Sequence, residues 1–272
     1  MRVAVVGHVE WVEFARVSHL PSAGEIAHAE PLLEVPAGGG GVAAVQLARW
    51  GVGGPFFTAL GDDPLGRRAH DELRARGVEL RAAFRERQRR ALTLVDPHGE
   101  RTIVVLGDRL VPHAADALPW DELVTCDAVY VTGGDAAAVR QARRARVMVA
   151  TARIAPLLRE AGVKLDALVG SESDPDERYA AGDLPVAPHL VVRTEGARGG
   201  TFVLPDGTSH RYQAAPAPVR GDTYGAGDTF AAALTSALGR GDRPVDAIAF
   251  AATRSAEVLA FQGPYPPGPS KP

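Results

Sequence analysis

Nine residues, Asp222-Thr223-Tyr224-Gly225-Ala226-Gly227-Asp228-Thr229-Phe230, put small side chains at an expected turn into a helix and a carboxylate in its first turn. Backbone amides at Gly225, Ala226 and Gly227 would meet no side-chain obstruction, and the positive end of a helix dipole favours added negative charge there. That is an anion hole. Asp228 beside it is positioned to take the proton of a substrate hydroxyl that attacks a γ-phosphate in line. An aspartate near a helix start is ordinarily only a cap or a dipole partner, so position alone does not assign the role.

Other chemistries find less support. A P-loop would need a lysine directly after a glycine loop, and the two lysines, Lys164 and Lys271, do not follow one. Gly38 to Gly41 has alanine at position 43, where a dinucleotide fingerprint needs glycine. The histidines lack metal-ligand spacing, and the single cysteine, Cys126, stands before an expected buried strand and reads as packing. A net charge of -3 offers no broad attraction for nucleic acid, and a small molecule is the better partner. No apolar run is long enough to span a membrane, and the first residues read as a strand without a signal peptide's basic flank, so a cytoplasmic location without membrane contact is expected.

The elements that must hold these residues follow from periodicity. At 272 residues with 46% hydrophobic content, one large core is possible. Residues 3–7 form a short apolar run ending in glycine, the pattern of a parallel strand buried on both faces. Residues 9–35 mix charge and aromatics, as strands exposed on one side do, and 91–106 carries two β-rich runs around a turn-forming Asp96-Pro97-His98-Gly99-Glu100. Together they predict a small sheet projecting from the core. A helix entered through Gly38 to Gly41 is expected to end before Gly51. A strand at 56–60 and an amphipathic helix ending at Gly77 make a βα unit. Apolar runs at 128–131, 147–150, 167–169 and 190–192 alternate with helical segments, which predicts a parallel sheet between helices. A second hairpin at 201–212, helices near 225–238 and 245–261, and a proline-rich tail at 263–272 that frays complete the expected chain.

The run at Asp222 to Phe230 is similar to the C-terminal signature of the PfkB family of carbohydrate kinases, the ribokinase-like kinases. The resemblance covers most of the chain. It includes Val5-Val6-Gly7, the glycine run before Leu47-Ala48-Arg49-Trp50-Gly51, Gly61-Asp62-Asp63-Pro64-Leu65-Gly66, the lid hairpin around Gly99-Glu100-Arg101-Thr102, and Glu195-Gly196-Ala197-Arg198-Gly199-Gly200. It implies an α/β fold of three layers (αβα), with a mostly parallel central sheet in a single domain, 1–262, and a small β-lid from about 9–35 and 91–106. It also implies an ATP-dependent kinase acting on a hydroxyl of a sugar, sugar derivative or nucleoside, with Mg2+. Asp228 would be the base, and Gly225, Ala226 and Gly227 the anion hole. Thr194, Gly196 and Gly199 would lie at the nucleotide. Asp174, in Ser171-Glu172-Ser173-Asp174, would stand in for the acidic residue of an N-x-x-E motif that organises magnesium, with Glu172 as a weaker substitute; Asp222 would help hold an activating K+.

Two departures fall on the acceptor side, where the resemblance puts Gly38, Gly39, Gly40, Glu10 and Val12. Val12 stands where the family carries a sugar-binding aspartate, and Val42 where it carries an asparagine. Strand alternation lets only one of Glu10 and Glu13 point inward. An acceptor with an apolar or aromatic part suits Trp11, Val12, Phe14 and Val42 better than an ordinary hexose does. The altered pocket leaves a second reading open, a kinase-fold metabolite or nucleotide sensor without turnover. An exposed lid edge could also pair with a second copy to give a homodimer.

Overall fold

The computed structural model describes residues 1–99, 101–217 and 221–266. The lid and the first half of the core comprise β1 (Val3–Val6), β2 (Glu10–Arg16), β3 (Glu30–Ala37), α1 (Gly38–Arg49), β4 (Gly53–Gly61), α2 (Pro64–Ala75), β5 (Glu79–Arg85), β6 (Arg90–Val95) and β7 (Arg101–Leu106). Next come β8 (Ala128–Val131), α3 (Ala136–Ala142), β9 (Val147–Thr151), α4 (Ala155–Ala161), β10 (Ala167–Ser171) and β11 (Val191–Thr194). The chain continues through β12 (Gly200–Val203), β13 (Ser209–Tyr212), α5 (Ala226–Arg240) and α6 (Pro244–Val258).

β1 is VAVV with every residue buried, and a strand apolar on both faces belongs in the middle of a sheet. It pairs in parallel with β4 on one side and β8 on the other, inside a nine-stranded sheet of order β13-β12-β11-β10-β9-β8-β1-β4-β5. Only the pairings of β11 with β12 and of β12 with β13 are antiparallel. α1, α2, α5 and α6 bury one face of this sheet against side chains such as Val5, Leu47, Leu73, Leu234 and Ile248. α3 and α4 cover the other through Val6, Met148, Val139 and Leu158. The expected three layers are therefore present. No helix among the described residues is long and apolar enough to cross a membrane.

The lid is a second sheet of order β3-β2-β6-β7. β2 joins β6 in parallel, while β3 and β7 flank them antiparallel. Gln88 pegs the lid to the core: its Oε1 accepts from Gly61 N at 3.0 Å, and its Nε2 donates to Val9 O at 3.0 Å. Asp63 completes the peg by accepting from Gln88 N and, as cap of α2, from Gly66 N. The Gly61 to Gly66 landmark thus joins the lid to the sheet.

Three expectations change. The glycines of 38–41 do not merely precede a helix; they form the first turn of α1. β5 was not expected, because ELRAAFR breaks alternation with charges, which a sheet edge tolerates. The tail does not fray from Gly263: Tyr265 is buried and donates to Pro36 O at 2.9 Å, and Pro264 O accepts from Gln46 at 3.0 Å. Residues 267–272 and Glu100 of the lid turn lie outside the described residues.

Candidate active site

Gly225 stands just before α5, and its φ of 77° lies in the left-handed region that a side chain disfavours. No side chain caps the helix, and the amides of Gly227 and Asp228 bond to no described residue. An uncapped helix start with free amides is an anion site in the making. The turn before it is held rigidly. Buried Asp222 accepts from Tyr224 N at 2.8 Å and from Gly263 N at 2.7 Å, tying the loop to the segment after α6. Tyr224 meets Phe14 of the lid edge-on at 4.9 Å, and Phe230 stacks on Tyr212 of β13 at 5.8 Å. Arg101 of β7 donates to Thr223 Oγ1 and lies over the Tyr224 ring, so lid and catalytic turn touch directly.

Asp228 projects from the first turn of α5 toward the first turn of α1. A Cβ on Gly39 would stand 2.9 Å from Asp228 Oδ1, so the glycine lets α1 approach the carboxylate. Thr132, just beyond β8, supplies the other wall, and its Oγ1 is buried without a partner among the described residues. Burial pushes the Asp228 carboxyl up to about 7, and the charge of Glu177 adds to the rise; Arg101 and Arg153 pull the other way. A carboxylate tuned near neutrality is what a general base requires.

On the acceptor side, Gly38 abuts Glu10, whose backbone N would lie 3.1 Å from an added Cβ, and Gly40 packs α1 onto the His8 carbonyl. Glu10 is the inward member of its pair: it is buried and bound to Arg89 at 2.8 Å, while Glu13 faces out to Arg90 at 2.6 Å. Val12 and Phe14 share the face of Glu10, as strand alternation requires. Trp11 turns to the opposite face, under Arg68 of α2 at 4.3 Å, so the expectation that it lines the pocket fails. Val42 lies against Gly225, 3.1 Å from an added Cβ there, and makes the floor apolar as expected. His8 is buried beside Glu10 at 3.9 Å, and desolvation, with the charges of Arg109, Arg89 and Arg153, lowers its pKa to about 3. It is a neutral imidazole at physiological pH. His8, Arg89 and Thr132 were missed in the sequence because their surroundings are assembled from distant segments.

Thr194 ends β11, and its Oγ1 donates to Gly170 O at 3.4 Å; Gly196 and Gly199 bound the turn into β12. Asp174 is held by protein partners at the end of the loop after β10. It caps a short 3-10 turn, accepting from Asp176 N at 3.0 Å, and forms an ion pair with Arg153. Glu172 is exposed. Glu177 is the carboxylate that acts on Asp228. It accepts from Ser171 N at 2.9 Å and from Arg153 at 3.0 Å, at the end of β10. No signal marked it, because it lies three residues beyond the position of the motif. Among the described residues no group of three or more metal-ligating side chains is gathered. Magnesium at a nucleotide takes one or two carboxylates together with phosphate oxygens and water. Hard carboxylate oxygens at Glu177 and Asp174 fit that donor set. Each Asp222 oxygen accepts one amide and retains a lone pair, which fits a monovalent cation between the two segments it ties.

The sequence matches the family described as pfkB family carbohydrate kinase over residues 1–163 and 163–271. Compared with curated proteins, it finds no match. Among solved structures, the ribokinase of Thermotoga maritima is similar, with a TM-score of 0.78 at 20% identity over 96% of this chain and 93% of that one. Ribokinase of Arabidopsis thaliana, complexed with ribose and ATP, gives 0.73 at 19% identity over 96% of each chain. A microbiome-derived acarbose kinase gives 0.77 at 23% identity over 97% and 94%. At these identities the structures speak for the fold alone, and the family match carries the rest: the chain belongs to the pfkB family of carbohydrate kinases, phosphotransferases with an alcohol group as acceptor.

Proposed function

We propose that this protein transfers the γ-phosphate of ATP to a hydroxyl of a sugar, sugar derivative or nucleoside. The observation that carries the reading is Asp228: a carboxylate tuned near pH 7, at an uncapped helix start, under a glycine that keeps its approach open. As the acceptor oxygen bonds to the γ-phosphorus, its proton passes to Asp228. The bond from that phosphorus to the β–γ bridging oxygen breaks, and ADP leaves with the electron pair. Amides of Gly225, Ala226 and Gly227 serve the charge that grows on the transferred group, Ala226 by giving up its 3.4 Å contact with Thr223 O. Thr194, Gly196 and Gly199 bound the nucleotide; Gly38, Gly39, Gly40, Glu10 and Val12 bound the acceptor. Glu177 and Asp174, both now paired with Arg153, would hold the Mg2+ that accompanies the nucleotide, and the ion would neutralise phosphate charge. Asp222 holds K+. The lid excludes water, which keeps ATP hydrolysis from competing.

We further propose a homodimer through β7, whose Ile103, Val104, Val105 and Leu106 are each more than 40% exposed on an edge strand. An ATP-consuming enzyme of this kind works in the cytoplasm.

A coupled assay for ADP release, run against sugars, sugar derivatives and nucleosides with magnesium, tests the reading. Release stimulated at least tenfold by one acceptor class supports it. If ATP binds and no acceptor in any class stimulates release, the sensor reading replaces it.

A further inference from the structure

The acceptor end of the site carries more positive charge than the transfer chemistry uses. Arg89 enters β6, and its carbonyl accepts from Trp11 N at 2.9 Å, so its backbone is fixed beside β2. Its guanidinium is mostly buried and bound to Glu10 at 2.8 Å. Glu10 in turn lies against Gly38, one residue before the glycine that touches Asp228. Arg89 and the base are therefore linked by way of Glu10 and the first turn of α1.

Arg109 adds a second guanidinium from the loop after β7. That loop runs back over the site: Val111 covers Gly133, 3.0 Å from an added Cβ there, and Gly133 lies beside His8. Arg109 is exposed and forms no ion pair with any described residue. Its charge acts on His8, Arg89 and Glu10, in keeping with a loop whose Val111 packs on Gly133 beside His8. Arg153, the next cation, is already matched by Asp174 and Glu177. Against Arg89 and Arg109 stands the single carboxylate of Glu10, and His8 is neutral. One positive charge is left uncompensated at this corner, while Val12 on the face of Glu10 and Val42 of α1 are apolar and offer a polyol no polar partner.

Resting on the kinase reading above, we propose that the phosphate acceptor itself carries an anionic group, a phosphate monoester or a carboxylate, which Arg109 binds with Arg89 beside it. A planar guanidinium matches either anion with two parallel hydrogen bonds, and such charge-assisted bonds discriminate far better than contacts to a neutral hydroxyl. The anion also explains why a mostly buried Arg89 is retained with one ion-pair partner: the group would complete its hydrogen bonding and offset the excess charge.

The test uses five- and six-carbon sugars, each as a matched set of neutral sugar, terminal phosphate monoester and aldonic acid. Affinity is measured by calorimetry with ADP and magnesium present, and turnover with ATP by the coupled assay. At least one charged member is expected to bind ten-fold or more tightly than its neutral twin. Arg109→Ala, at an exposed position that should leave folding intact, is expected to remove most of that preference, and Arg109→Lys to restore part of it. The phosphate and acid arms identify which anion is preferred. Neutral twins that bind as tightly, no binding by any charged member, or a preference unchanged in Arg109→Ala would each overturn the proposal. Phosphorylation of neutral sugars unaffected by Arg109→Ala would leave the kinase reading intact and remove this one. Arg109-dependent binding without turnover would do the reverse.

Discussion

Asp228 is ionised only as pH rises through about 7, because burial opposes its charge and Glu177 adds repulsion. If it is the base, log kcat/KM should fall with unit slope below that pH and level off above it, and the residual activity of Asp228→Asn should lack the limb. The same shift has a stability consequence. Between its ordinary value of 3.8 and about 7, the folded chain binds a proton that the unfolded chain has released, so stability falls with rising pH across that window. Asp228→Asn removes this cost. Its Tm should match wild type near pH 4 and exceed it by a few degrees above pH 7, an outcome that scanning calorimetry at the two pH values reads directly. Of the site, the base and the anion hole were legible because both lie within one local run. Glu177, His8 and Arg89 were not, since their roles arise from three-dimensional neighbours: Glu177 through Arg153 and Asp228, His8 through three distant arginines.

Among the elements, the junction of α1 with α5 decides whether the base can be approached. Gly39→Ala puts a methyl within 2.9 Å of Asp228 Oδ1 and 3.5 Å of Thr132, while alanine favours the helix by about 1 kcal/mol over glycine. Those effects oppose each other in stability but not in catalysis. Tm should move little, and kcat should fall by roughly 10- to 100-fold, the scale on which a misplacement of about an ångström costs rate. Loss of folding instead would mean that the contact serves packing. Periodicity found the buried strands β1, β8, β9 and β10 because both their faces are apolar. It missed β5, a charged edge strand, and put the α1 glycines before the helix, because only the close approach of Asp228, Glu10 and His8 explains glycines inside its first turn. The direction of Trp11 was within its reach, since alternation places Trp11 opposite Val12; only the partner Arg68, from α2, was not.

At the scale of the whole molecule, the lid joins three things that the sequence lists apart. Arg101 reaches the catalytic turn at Thr223, Phe14 packs on Tyr224, and Gln88 fixes the hinge to β4. Its outer strand, β7, is long, apolar and exposed, a combination that invites strand pairing. Sedimentation should find a dimer at micromolar concentration, and Val104→Lys with Val105→Lys should give a monomer; wild type that is monomeric at 100 μM, on the order expected for a weak transient contact, would remove the lid dimer. The central claim is that donor and acceptor meet at Asp228. Single-turnover transfer from labelled ATP to the acceptor found in the coupled assay, compared between wild type and Asp228→Asn with ATP affinity measured alongside, tests it most directly. Transfer should slow by about 1,000-fold, within the range a general base contributes, while ATP affinity changes less than about threefold. Transfer by the Asn variant at the wild-type rate would contradict the account.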